Sequence, residues 1–169
     1  MISGDDLRTR LLTWYRENKR DLPWRRTKDP YAIWLSEVML QQTRVDTVIP
    51  YYERFLTAYP TVHALAEAPL EEVLTKWSGL GYYRRARTLH AAAQQVTSER
   101  EGIFPRTASE LREIVGIGPY TAGAVASIAF DTAAALVDGN VVRVLARIYA
   151  VSDDVRKPAG VAKIWKLAE

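Results

Sequence analysis

Cysteine is absent from all 169 residues. That excludes disulfides from this chain, and with them any zinc or iron–sulfur centre held by its own thiolates. Long apolar runs are missing as well. None approaches the roughly 18 consecutive apolar residues of a membrane span. The first ten residues are charged, so no signal peptide is read there. No segment alternates strictly between apolar and polar residues, as a half-buried strand does. Repeats of fixed period and low-complexity stretches are absent too. Charge of one sign is in short supply: 23 Lys and Arg against 20 Asp and Glu leave a net +3. The placement of the basic residues therefore says more than their excess.

What is present is apolar content and helical period. Hydrophobic residues make up 48% of the chain, enough for one domain or two small, closely packed ones. Leu7, Leu11, Trp14 and Tyr15 recur at helical spacing, with Ser3 as a cap and Asp5 and Asp6 in the first turn. Pro23 closes that segment. Asp29 caps a second helix with Pro30 at its first position, where a missing N–H is no loss. Val45 to Tyr59 continues helically, kinked or divided at Pro50. Pro69 opens "PLEEVLTKW", Gly79 ends it, and "YYRRARTLHAAAQQV" follows. Thr107 and Glu110 have the spacing of a capping box. The fold class expected is all-α, with roughly eight to ten short helices. The chain stops in mid-helix, which suggests a truncated chain.

Basic residues gather in two places, each beside aromatics. Arg16, Lys19, Arg20, Arg25, Arg26 and Lys28 lie near Trp14, Tyr15 and Trp24; Arg84, Arg85 and Arg87 follow Tyr82 and Tyr83. Such clusters suit nucleic acid, since phosphates attract cations and bases stack on flat faces. A solvated helix surface gives the same composition. The stretch "ELREIVGIGPYTAGAVASIAF" is more specific. A capped helix reaches Gly116-Ile117-Gly118, turns, and re-enters a helix at Pro119. The unpaired N–H groups of that second helix face outward and suit a phosphate. Ile117 anchors the turn inward, and Ala122, Gly123, Ala124 and Ala126 allow the second helix to pack closely on the first. This is a helix-hairpin-helix, a grip on backbone phosphate without sequence reading. An ordinary tight corner between helices would also use two glycines.

Two acids complete the pattern. Glu37 sits in "WLSEVMLQQT" among apolar residues, with Gln41 and Gln42 a turn further on. Asp138 opens "DGNVVRV" as a helix cap. Each has a structural reading, Glu37 as a partner of Arg44 and Asp138 as a plain N-cap. Together they suit cleavage of an N-glycosidic bond, where one acid gives a proton to the leaving base and a second stays ionised beside the cationic sugar. Apolar surroundings raise the pKa of Glu37, and a helix N-terminus beside Asn140 favours the anion at Asp138. Gln41, Gln42 and Tyr82 can meet bases in a duplex from which one nucleotide has been extruded, while Arg84 and Arg85 hold phosphate.

The motifs "LPWR", "DPYAIWLSEVMLQQTRVDTVIPYYERFL", "WSGLGYYRRARTLHAAA", "GIGPYTAGAVASIAF" and "VDGNVVRVLARIYAV" resemble MutY-type adenine DNA glycosylases of the helix-hairpin-helix glycosylase superfamily. The likeness runs from about residue 7 to 151. It implies two packed helical subdomains with the active site in the cleft between them: residues 29–135 as a six-helix barrel with the hairpin at 108–130, and residues 1–28 plus 136–169 as the other. It implies removal of adenine mispaired with 8-oxoguanine or guanine in duplex DNA. Catalytic roles fall to Glu37 as the acid, Asp138 as the carboxylate that stabilises or transiently bonds the sugar cation, Asn140 as the residue that orients the catalytic water or Asp138, and Tyr120 in place of a Schiff-base lysine, hence a monofunctional enzyme. Trp24, Arg25, Leu40, Gln41, Gln42 and Tyr82 would meet the bases. Gly116, Ile117, Gly118, Arg84 and Arg85 would meet phosphate, with a monovalent cation on the hairpin carbonyls. An intracellular monomer, in cytoplasm or nucleoid and without membrane contact, is implied as well.

The family usually continues into a four-cysteine [4Fe–4S] loop and a MutT-like reader of 8-oxoguanine, neither of which is in this chain. "IVGIG" lacks the usual proline, "DTAAAL" lacks a glycine and proline, and Val142 stands where some members have lysine. A thymine-mismatch glycosylase and a DNA-binding domain with little turnover are the alternatives.

Overall fold

The structure, a computed structural model, describes residues 4–169. It is all-α, with ten α-helices, one short 3₁₀ turn and no strand among the described residues. Ser3, expected to cap the first helix, lies outside them. Helix α1 spans Gly4–Asn18. Its apolar positions recur at helical spacing as the sequence predicts, yet Leu11 and Trp14 are each 58% exposed. No other helix among the described residues packs extensively on that face.

The centre of the molecule is α2, Pro30–Leu40. The Asp29 carboxylate accepts the Tyr31 N–H at 3.1 Å, and Pro30 takes the first position, as the sequence predicts. Every residue from Tyr31 to Met39 is buried. A helix apolar all round belongs inside. Trp34, Leu35 and Met39 are at most 1% exposed, each stabilising the fold by about 1.5–3 kcal/mol. Helix α3, Val45–Ala58, runs through Pro50 without dividing. Helices α4 (Val62–Glu67), α5 (Leu70–Trp77) and α6 (Arg84–Arg100) complete this side. The core joins Trp34, Val48, Phe55, Leu65, Trp77 and Leu89.

Helix α7 is a single turn, Ala108–Leu111, and α8 spans Pro119–Phe130. Thr107 caps α7: its hydroxyl accepts the Glu110 N–H at 3.3 Å and donates to the Glu110 carboxylate at 2.6 Å. The glutamate thus reaches the Thr107 hydroxyl. Gly116 has φ +76°, and a Cβ there would collide with the Thr88 side chain. Helix α8 packs on both α7 and α2, which brings the hairpin beside the buried acid.

The chain then returns through an extended segment to α9, Gly139–Ile148, which packs on α10, Pro158–Ala168. At Gly123 this returning segment crosses α8 so closely that a Cβ would strike the Ala135 carbonyl oxygen. The small residue there accommodates the extended segment leading to Asp138, a second reason for it besides contact between the hairpin helices. Gly123→Ala is expected to destabilise the fold by about 1–3 kcal/mol, the range for overpacking. A lower denaturant midpoint at unchanged m-value would show it; an unchanged midpoint would mean that the crossing is loose.

Candidate active site

A cleft of about 1200 Å³ opens beside α2. It exceeds the roughly 300–1,000 Å³ of a small-molecule pocket, which suits part of a polymer. Glu37, Tyr120 and Asp138 all border it, from α2, the start of α8 and the cap of α9 respectively. Residues 83 and 101 positions apart along the chain thus meet at one surface because α2 packs on α8 and the segment after α8 folds back across it.

Glu37 is 9% exposed. Burial pushes its carboxyl above the ordinary range. The Tyr120 hydroxyl, facing it, partly offsets this by favouring the anion, and the negative charge of Asp138 adds to the upward shift. Tyr120 is itself pushed up, first by burial and then by Glu37, so its phenol keeps its proton. Arg44, the structural partner considered for Glu37, serves as the N-cap residue of α3.

Asp138 is in a different setting. One carboxylate oxygen accepts the N–H groups of Asn140 and Val141 at 2.9 and 2.8 Å. The other accepts from the Asn140 side-chain amide at 3.0 Å. Arg143 donates in turn to the Asn140 carbonyl oxygen at 3.0 Å, which fixes the amide's direction. Asn140 thus bonds the Asp138 carboxylate and does not itself border the cleft.

The rim is made of two loops. Leu40, Gln41 and Gln42 end α2, and Tyr82, Tyr83 and Arg84 precede or begin α6. Gln42 and Tyr82 both have left-handed backbones, φ 56° and 49°. Such conformations cost about 1–3 kcal/mol for residues other than glycine and gather at functional sites. The Tyr82 ring is 60% exposed. On the hairpin, Gly116 borders the cleft, Gly118 caps α8, and Ile117 is buried, 5% exposed, anchoring the turn. Gln95 on α6 accepts the Val115 N–H at 2.8 Å, so that donor is already taken.

Two expected base-contacting residues lie elsewhere. Trp24 is buried edge-on against Tyr52, ring centroids 5.4 Å apart, and does not border the cleft. Arg25 donates to the Arg20 carbonyl at 3.1 Å and lies over the Tyr15 ring. The 3₁₀ turn Pro23–Arg25 aims both toward α3 and α1. Arg85 was expected at phosphate, but its two terminal guanidinium nitrogens donate to protein acceptors in the last turn of α2 and the two rim loops, while its buried Nε finds no partner. Trp34, Thr88, Leu89 and Val115 border the cleft and were not singled out. Trp34 precedes Glu37 by three positions, one helical turn on the same face, a spacing that marked it as the wall beside the acid.

The fold and this pairing of hairpin with acids define a class. Residues 35–169 match the model of the HhH-GPD superfamily base excision DNA repair proteins, and the chain belongs to that superfamily. It is 51% identical to the adenine DNA glycosylase of rat (Rattus norvegicus), across 96% of this chain and 33% of that protein. With the human (Homo sapiens) adenine DNA glycosylase it shares 49%, across 94% of this chain and 31% of that one. The chain thus spans about a third of the length of these curated relatives. Among solved structures, a thermostable thymine-DNA glycosylase superimposes with TM-score 0.85 at 31% identity, covering 97% of this chain and 76% of that one.

Proposed function

We propose that this chain carries the catalytic region of an adenine DNA glycosylase acting on adenine opposite 8-oxoguanine or guanine. The observation that carries the reading is one cleft holding two carboxyl groups in opposite settings: Glu37 buried, its pKa raised, and Asp138 at a helix N-terminus under three N–H donors. An extruded adenosine enters between them. Glu37 gives its proton to a ring nitrogen of the base, the N-glycosidic bond breaks, and Asp138 faces the sugar cation until water attacks. Tyr120 keeps its phenol proton against the spent Glu37. Leu40, Gln41, Gln42 and Tyr82 occupy or border the gap left in the stack, while Gly116, Gly118 and Arg84 meet the phosphates.

On this reading the cleft lies between residues 29–135 and the subdomain formed by 1–28 plus 136–169. Duplex DNA places the protein's action inside the cell, and no described helix is long and apolar enough to cross a membrane. An iron–sulfur cluster does not fit this chain's own residues, which include no cysteine. A monovalent cation at the hairpin would be held by backbone carbonyls; those of Glu113 and Ile114 each accept one hydrogen bond, from Gln95 and from the Ile117 N–H, and keep a second lone pair.

The test is product identity. Duplexes carrying adenine opposite 8-oxoguanine, adenine opposite guanine, or thymine opposite guanine are incubated with the chain, and the free base is analysed. Adenine from the first two duplexes is expected. The likeness to a thymine-DNA glycosylase favours a second reading. Release of thymine alone would select it, and no release from any duplex would leave a binding domain.

A further inference from the structure

Arg85 is half-buried at the first turn of α6 and borders the cleft. Its Nη1 donates to the carbonyls of Val38, Met39 and Gln41 at 3.0, 2.8 and 2.7 Å. Its Nη2 donates to the Thr43 hydroxyl at 3.1 Å and to the carbonyls of Leu80 and Gly81 at 3.3 and 3.2 Å. The cation thus sits on the carbonyl end of α2, where the helix dipole is negative and the last carbonyls lack partners. Its plane also stands 5.2 Å from the Trp77 ring and 5.4 Å from the Tyr82 ring.

One guanidinium therefore ties together two loops more than 35 residues apart in sequence, and each loop holds one of the left-handed residues of the rim, Gln42 and Tyr82. Among the described residues no other side-chain hydrogen bond joins the loop at 41–43 directly to the loop at 79–83: the Trp77 indole donates to the Gly81 carbonyl within its own segment, and the Tyr51 hydroxyl ties the Ser78 carbonyl to α3. We propose that Arg85 is a positioning residue, a clamp that holds the Gln41–Gln42 loop and the Tyr82 loop in register so that both meet the nucleotide left unpaired when its partner is extruded. The inference rests on the proposed mismatch reading for its consequence, and on the hydrogen bonds alone for the clamp itself. It makes guanidinium geometry essential: a lysine keeps the charge but has a single nitrogen and no planar fork to span both loops.

The test compares the parent with Arg85→Lys, Arg85→Ala and Arg84→Ala at a temperature at which all are folded. Amide hydrogen exchange is followed in residues 38–43 and 79–83. Affinity is measured against salt for a duplex with adenine opposite 8-oxoguanine and for its fully paired counterpart. For Arg85→Lys, exchange in both loops should quicken together by about tenfold or more, as loss of hydrogen bonds to a charged group implies. Preference for the mismatched duplex should fall, and the salt slope should stay parental. For Arg84→Ala, the slope should drop by about one phosphate contact with both loops still protected.

Unchanged exchange in either loop after Arg85→Lys would overturn the clamp. So would a shallower salt slope with both duplexes weakened alike after Arg85→Ala, the signature of a phosphate contact. Should both Arg85 variants fail to fold, Thr43→Val removes one acceptor of the clamp and must loosen both loops in smaller measure; loosening of its own loop alone would contradict the proposal. A parent without mismatch preference would sink the functional reading while the exchange data still decide the clamp.

Discussion

Glu37→Gln is expected to lower the single-turnover rate of base release by about 10²- to 10⁴-fold, the usual weight of a positioned general acid. Glutamine keeps the shape and the contact with Tyr120 but has no proton to give. Binding of mismatched duplex should be nearly unchanged, because the rim loops and the hairpin are untouched. The same substitution has a second consequence of opposite sign. Burial raises the pKa of Glu37 in the folded protein, so the folded state holds a proton that the unfolded chain has already released. The stability associated with this group is fully present below the unfolded pKa and is lost as pH rises through the folded one. The glutamine variant has no such loss. It should melt higher than the parent at neutral and alkaline pH, with the gap closing in acid. A variant that releases adenine at the parental rate, or melts lower at every pH, would show that Glu37 is an ordinary structural acid.

Asp138→Asn is expected to slow excision by about 10²- to 10³-fold, the weight of removing one preorganised charge from the place where charge develops. An asparagine oxygen can still accept the N–H groups of Asn140 and Val141, so α9 should remain capped and the fold intact. What is lost is the anion opposite the sugar. The substitution also removes a negative charge that raises the Glu37 pKa, so the variant's remaining activity should decline with pH at lower pH than the parent's. Circular dichroism and binding to mismatched duplex serve as controls. A rate within a few fold of the parent would leave Asp138 as a cap only, and another group would have to face the cation.

Local rules were readable wherever the physics was local. Asp29 with Pro30, Thr107 with Glu110, and the glycines around Ile117 act within four residues of themselves, and the structure shows each in that role. The acids were readable through their neighbours, Glu37 by the apolar residues around it and Asp138 by the Gly-Asn that follows. Long-range geometry was not readable. A sequence lists Arg85 beside Arg84 as one basic cluster; both border the cleft, but only the fold shows that the Arg85 guanidinium is turned onto the carbonyl end of α2. Trp24 followed the same course: aromatic and next to a basic run, it packs on Tyr52 because the 3₁₀ turn faces inward. Periodicity in α1 marked an apolar face without saying whether anything covers it.

On the proposed reading, burial keeps the Glu37 carboxyl protonated to higher pH than an exposed glutamic acid, and this proton leaves with the base. The pH dependence of single-turnover adenine release tests it most directly. The rate should be level in mild acid and decline as pH rises through the raised Glu37 pKa, with that limb absent from the residual activity of Glu37→Gln. A rate that climbs with pH, or a declining limb that persists unchanged in the glutamine variant, would contradict it.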